Sequence, residues 1–229
     1  ACLTSAPPQP VVSRSIHPGI TLHVCGVGPD RAARSAQQLI TEGVRGLVSF
    51  GIAGGLVPGL ASGMVLVPER VETAAGALFI HAGWRAHVLE RLTVAGIPLA
   101  PGNMTEADKV IATCAQKSAL GAERNATAVD MESASVLRVA ARQIIPALVL
   151  RVIMDPLEME LPAFLLRRND AYGRSNLAGV LLDLLRAPAR LPALLKLGRT
   201  FNAAARSMRR VGQHLHDLHP GHDALTRSR

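Results

Sequence analysis

The sequence predicts an α/β architecture: a single three-layer domain over residues 1–172 with a central mixed, mostly parallel sheet, and a basic helical extension over residues 173–229. Three observations carry this prediction. Ala147 to Ile153 (ALVLRVI) is a nearly continuous apolar run, as in strands buried on both faces of a parallel sheet. Strand-like stretches twice pass directly into helical patterns, at Ile20–Ile40 and Thr127–Arg142. Aromatic residues make up only 3% of the chain, while Ala, Gly, Leu and Val are abundant. That composition suits close packing of helices on a sheet and argues against a stacking surface for single-stranded nucleic acid.

Residues 1–19 hold Pro7, Pro8, Pro10 and Pro18, so regular structure is not expected over much of them. Ile20 to Cys25 alternates as a strand and ends in Gly26-Val27-Gly28, a GxG that serves equally as a tight turn or as a phosphate cradle. A helix follows from Pro29, with Asp30 as its cap and Ala32, Ala36, Leu39 and Ile40 as its stripe. Gly46 to Phe50 reads as a buried strand, and Gly51 to Gly55 as a loop where backbone N–H groups can approach a ligand. Met64–Val67 and Ala77–Ile80 are further strands. His81, Trp84 and His87 have no periodic partner and read as packing or surface residues. A helix is expected from Glu106 to about Leu120, with Ala112, Ala115 and Ala119 on its buried face, and another from Met131 to Arg142, ended by Pro146.

The extension begins with a helix capped by Asn176 and striped by Leu177, Val180, Leu181, Leu184 and Leu185. Pro188 and Pro192 interrupt it. A second helix alternates by threes and fours through Leu194, Leu197, Phe201, Ala204, Met208, Val211 and Leu215, with Lys196, Arg199, Arg206, Arg209 and Arg210 largely opposite. Residues 1–165 balance thirteen Lys/Arg against thirteen Asp/Glu, whereas residues 166–229 hold twelve against four, so the whole +8 charge lies in the last quarter. This tail packs on the body or on another subunit, or it docks on an anionic membrane as a peripheral contact. Residues 214–229 are expected to fray.

Cys2, Cys25 and Cys114 form neither a disulfide framework nor a metal-binding pattern, which suits a reducing, cytoplasmic setting, and no metal or resident cofactor is expected. The longest uncharged run, Gly46 to Pro68, contains six glycines and a Pro58-Gly59 turn, so it reads as strand, loop, strand and not as a membrane span.

Chemistry concentrates in two places. Asp130-Met131-Glu132 sets two carboxylates and a thioether at a strand-to-helix junction, where acids also simply favour the helix dipole. Asp155 ends the clearest strand, at the edge where open α/β sheets place ligands, although an Asp before Pro156 also fixes turns. A parallel sheet would bring the Gly51–Gly55 loop, Asp130–Glu132 and Asp155 to one edge.

GIAGGL at 51–56 with a glycine-led strand from Gly63, VDMESAS at 129–135 and LRVIMD at 150–155 resemble, in order and spacing, the purine nucleoside phosphorylase and methylthioadenosine/adenosylhomocysteine nucleosidase superfamily. The tail after DPLEMELP looks most like the hopanoid-associated phosphorylase branch, whose members are linked to removing adenine from adenosylhopane. The resemblance implies a nucleoside phosphorylase-like fold, a homodimer, and cleavage of a purine N-glycosidic bond. It implies Asp155 as the acid that protonates the purine, Glu132 as the carboxylate that holds ribose hydroxyls, Met131 as the residue packing on the sugar face, and Ala53 and Gly54 as substrate-binding positions. Asp130 matches a position whose role is structural. Phosphate is a co-substrate if the reaction is phosphorolysis. Soluble methylthioadenosine/adenosylhomocysteine nucleosidase, purine nucleoside phosphorylase, and a non-catalytic lipid-binding or scaffold relative are the alternatives.

The departures are specific. Ile52 and Met154 stand where the superfamily often has hydroxyl residues. In the nucleosidases a first strand leads to a loop bearing a water-activating Glu, whereas residues 1–29 hold no carboxylate. The residue that activates the nucleophile is therefore unassigned, and hydrolysis and phosphorolysis both stay open.

Overall fold

The run Ala147 to Asp155 forms the central strand of the protein, with Leu148, Val149, Leu150, Val152 and Ile153 all essentially inaccessible. Each of these side chains contributes about 1.5–3 kcal/mol by leaving water, which is why the sheet is organised around this strand. The structure is a computed structural model that describes residues 12–161 and 191–218. Its elements in order are β1 (Val12–His17), β2 (Ile20–Val24), α1 (Pro29–Thr41), β3 (Leu47–Gly55), β4 (Val65–Leu66), β5 (Arg70–Thr73), β6 (Gly76–Phe79), α2 (Ala82–Val94), β7 (Leu99–Ala100), β8 (Met104–Glu106), α3 (Cys114–Arg124), β9 (Ala128–Asp130), α4 (Ser133–Arg142), β10 (Ala147–Asp155) and α5 (Leu191–Gln213).

Eight strands form one mixed sheet in the order β6-β5-β8-β9-β3-β10-β4-β7. β3 and β10 run parallel in register from Leu47↔Ala147, with a bulge between Ile153 and Asp155 that sets Asp155 opposite Gly54. β4 is antiparallel to β10, and β9 is antiparallel to β3 with Val129 opposite Gly54. Helix α1 packs against α4, and α4 against β3 and β10. The main apolar core joins α1, α2, α4, the sheet and α5, and a smaller cluster of Leu56, Ala126 and Val129 lies beside α3.

Several expectations are corrected. Residues 12–17 are not irregular: they pair with β2 as an antiparallel hairpin turned at Pro18-Gly19, where Gly19 has φ +80°. Gly51 to Gly55 is the end of β3 and not a loop, because pairing with β10 continues to Asp155. Helix α1 is capped by Gly28 and not by Asp30, which lies in the first turn after Pro29. The helix expected from Glu106 begins only at Cys114, where Thr113 and Gln116 complete a capping box, and residues 104–106 join the sheet as β8 instead. Its buried face carries Lys117 and Gly121, while Ala115 and Ala119 are exposed. The helix beginning at Asn176 lies outside the described residues, as does the 172/173 boundary.

Helix α5 buries Ala204 and Val211 in the common core, and Leu218 follows them. The indole of the buried Trp84 donates to the Leu218 carbonyl at 2.7 Å, and the His87 ring bonds the Asp217 carbonyl at 2.7 Å. Leu195 and Phe201 on the same helix stay 56% and 57% exposed. Among the described residues no helix is long and apolar enough to cross a membrane.

One glycine decides how β9 enters the sheet. Gly102 has φ +104°, and a Cβ there would lie 2.3 Å from the Thr127 side chain, whose N–H and hydroxyl both donate to the Asn103 carbonyl. Gly102→Ala is expected to cost about 1–3 kcal/mol, read as a lower urea midpoint with an unchanged m-value.

Candidate active site

Asp155, Gly54 and Val129 lie in one row across β10, β3 and β9. Gly54 of β3 makes room for the Asp155 side chain of β10 beside it, whereas Gly51 borders Arg151 at ordinary contact distance. A Cβ on Gly51 would sit 3.5 Å from the Arg151 guanidinium, and one on Gly54 would sit 3.2 Å from the Asp155 carboxylate. Gly54→Ala would thus displace the carboxyl by a few tenths of an ångström. It is expected to lower turnover by up to about 10²-fold while the urea midpoint moves little.

Asp155 is 5% exposed, and its Oδ2 is 2.6 Å from Nζ of Lys117 on α3. Burial raises the affinity of this carboxyl for its proton, and the Lys117 ammonium only partly opposes that. A carboxyl raised in this way holds a proton at higher pH than an ordinary Asp, which is what a general acid requires. Lys117 is itself fully buried and also donates to the carbonyls of Pro156 at 2.9 Å and Met159 at 2.8 Å. Sequence reasoning missed it, since a lysine on a helix normally marks the solvent face. No signal in the sequence marks it, because the groups that surround its ammonium come from the end of β10 and the turn that follows.

Asp130 ends β9 fully inside the protein. Its carboxylate accepts from the Arg151 Nε at 2.6 Å and from the backbone N–H and hydroxyl of Ser133. Arg151 spends its other nitrogens on Ser49, at 2.7 Å to the carbonyl and 2.7 Å to the hydroxyl. Asp130 and Arg151 are paired with each other, so the group ties β3, β9, β10 and the start of α4 together.

Glu132 follows at the N-terminus of α4, half-buried, with its Oε1 accepting from the Gly28 N–H at 2.8 Å. This contact joins the turn after β2 to the start of α4. Met131 beside it is also partly exposed. Ala53 turns its methyl into the core, so it would meet a ligand only through its backbone, whereas Gly54 borders Asp155.

Because β9 runs antiparallel to β3, Asp130–Glu132 leads back along β3 and away from the Asp155 row. The single edge expected from a parallel sheet is therefore not what positions these residues. Asp155 ends β10 beside Gly54, while Glu132 opens onto a cavity of about 1450 Å³ between the β1–β2 hairpin and β3. Along Leu47–Ala53, on the side away from β10, β3 has no strand partner among the described residues. Ile52 presents its apolar side chain to this cavity, and among the described residues the carboxylates lining it are Glu42 and Glu132. Among the described residues no group of three metal-binding side chains comes together.

Residues 15–186 match the family model described as the phosphorylase superfamily. No curated protein sequence matches the chain. Among solved structures, the chain is similar to a point mutant of the Helicobacter pylori 5′-methylthioadenosine/S-adenosylhomocysteine nucleosidase, solved with 5′-methylthioadenosine in its active site. That similarity has 22% identity and a TM-score of 0.57 over 61% of this chain and 68% of that chain. Futalosine hydrolase from the same organism matches at 25% identity and a TM-score of 0.56, over 59% and 68%. The 5′-methylthioadenosine/S-adenosylhomocysteine nucleosidase from S. pneumoniae, solved with a transition-state inhibitor, matches at 22% identity and a TM-score of 0.56, over 60% and 68%.

Proposed function

Because the chain belongs to the phosphorylase superfamily, we propose that it cleaves the N-glycosidic bond of a purine nucleoside with Asp155 as the general acid. The observation that carries this reading is the buried Asp155 carboxyl, raised by desolvation, at the end of β10 beside Gly54. Breaking the bond builds negative charge on the base and positive charge on the ribose. A protonated Asp155 relieves the first by giving its proton to the leaving purine. Glu132, anchored on the Gly28 N–H, answers the second by accepting the ribose hydroxyls and lowering the energy of the oxocarbenium-like sugar. Met131 supplies a polarizable surface for the sugar face. Ala53 through its backbone and Gly54 complete the substrate contacts.

The favoured substrate is adenosylhopane, with adenine as the product. The sequence resemblance of the tail supports this, and so does the surface of α5, where Leu195 and Phe201 are exposed among Lys196, Arg199, Arg206 and Arg209. An anionic bilayer gains roughly 1 kcal/mol for each basic residue near its surface. Reversing Lys196, Arg199, Arg206 and Arg209 to Glu together is therefore expected to abolish sedimentation with phosphatidylglycerol-rich vesicles and to spare cleavage of a short soluble nucleoside. Retained vesicle binding would remove the membrane role. Deleting α5 is no substitute, since Ala204 and Val211 belong to the core.

The protein functions as a homodimer in the cytoplasm, at the inner face of the membrane. The deciding experiment incubates it with adenosylhopane, methylthioadenosine and adenosylhomocysteine, each with and without phosphate. Adenine release from the lipid nucleoside supports the reading. The sugar product, which keeps its 5′ substituent and appears either as the free reducing sugar or as its 1-phosphate, then separates hydrolysis from phosphorolysis. Turnover of the soluble nucleosides alone would make the protein a soluble nucleosidase, and release from none of them would favour a non-catalytic relative.

A further inference from the structure

Asp155 does not stand alone at the end of β10, and the following rests on its proposed role as the acid. We propose that Lys117 is the positioning residue for Asp155, clamping one carboxyl oxygen and the turn that follows it so that the other oxygen carries the transferable proton.

Helix α3 is built to deliver this lysine. The capping box of Thr113 and Gln116 sets where the helix starts. One turn beyond Lys117, Gly121 lets the helix approach β3 closely, since a Cβ there would lie 3.0 Å from Leu56. Lys117 is 0% exposed, and its three ammonium protons meet four acceptors on the same short segment. These are Oδ2 of Asp155 at 2.6 Å and the carbonyls of Asp155, Pro156 and Met159 at 3.3, 2.9 and 2.8 Å. The contact to Oδ2 is the shortest of the four, and an ammonium has hydrogens to give and no lone pair to receive one, so the carboxyl oxygen facing it accepts whether the carboxyl is ionised or neutral. Oδ2 therefore stays an acceptor, and when the carboxyl takes a proton it takes it on Oδ1. The lysine thus selects which oxygen is the acid and holds the chain from 155 to 159 around it.

Among the described residues no other nearby charge competes for this carboxyl. Arg151 of β10 and Asp130 of β9 are bound to each other, and Glu158 and Glu160 of the following turn are exposed. The charge that acts on Asp155 is that of Lys117. Its removal frees Oδ2 and makes the carboxyl hold its proton more tightly. A purely structural lysine would affect stability without moving the titration of Asp155.

The test compares the full chain with Lys117→Met and Lys117→Arg. Two readouts are taken: titration of the Asp155 side-chain carbon by NMR, and the pH profile of kcat/KM for purine release. In Lys117→Met both the titration midpoint and the alkaline limb of the profile should move upward together, by about 1–3 pH units. Lys117→Arg keeps the charge but replaces a compact ammonium with a planar fork. It should leave the limb in place and lower kcat about tenfold. An unmoved Asp155 titration in folded Lys117→Met overturns the proposal, as does a moved titration with an unmoved profile. If Lys117→Met does not fold, Lys117→Arg decides alone, and an unchanged kcat overturns the proposal. The carboxyl titration needs no turnover. A wild-type protein that cleaves no nucleoside would therefore remove the proposed function while the hold of Lys117 on Asp155 is still measured.

Discussion

Replacing Asp155 with Asn is expected to lower kcat for purine release by about 10²–10⁴-fold, with KM changed far less. The amide oxygen of Asn can still accept from Lys117 Nζ, so the turn after β10 keeps its anchor. What disappears is the proton. An initial-rate comparison of the two proteins checks this, and an equal rate would take the acid role away from Asp155. The pH dependence carries a sign of its own. Burial raises this carboxyl above its ordinary value, so the protonated form suits the native state better than the ionised one. The associated stability is complete below about pH 4, the unfolded value, and is lost as pH rises through the folded value. Wild-type stability should therefore decline over that window, and Asp155→Asn, with nothing to ionise, should lack that part of the decline. The alkaline limb of wild-type kcat/KM should likewise lie above the ordinary carboxylate range.

Arg151→Met is expected to cost about 3–5 kcal/mol of folding stability, more than any other substitution considered. The side chains of Arg151 and Asp130 are 3% and 2% exposed. Without the guanidinium, Asp130 is left as a buried charge supported only by Ser133, and Ser49 loses the donors to both its carbonyl and its hydroxyl. Urea denaturation would read the loss as a lower midpoint. The double variant Asp130→Asn with Arg151→Met should be destabilised by clearly less than the sum of the two single variants, because neither charge is left behind. Additive costs would mean that the two side chains act independently. The same network fixes the junction from which Met131 and Glu132 project, so this prediction bears on the geometry of the site as well as on the fold.

Much of the fold was legible because burial leaves marks in the order of residues. The stripe of α1 at Ala32 and Ala36 and the buried face of α4 repeat every three to four residues, and β10 is buried at almost every position along a nearly continuous apolar run. β5, β7 and β8 were not legible: Arg70–Thr73 and Met104–Glu106 mix polar with apolar residues and lack the apolar run that marks β4 and β6, and Leu99–Ala100 is only two residues between prolines. β1 was hidden by its proline-rich surroundings, although Pro18 and Gly19 sit at the turn, where they suit the hairpin. The helix expected at Glu106 shows the opposite error. Alanine favours helix anywhere, but here Met104–Glu106 is claimed by the gap between β5 and β9.

The amino-acid sequence by itself determined that this is an α/β protein, that Asp155 closes its central strand, and that Asp130-Met131-Glu132 joins a strand to a helix. Each of these depends on residues close together in the chain. Only the tertiary structure decided that β9 runs antiparallel to β3, that Gly54 of β3 leaves room for Asp155, and that Lys117 is the buried partner of the acid. Strand direction is set by hydrogen bonds between distant segments. A lysine in the core has the same letter as one in water, and what distinguishes them is the carboxylate and the three carbonyls that fold around it.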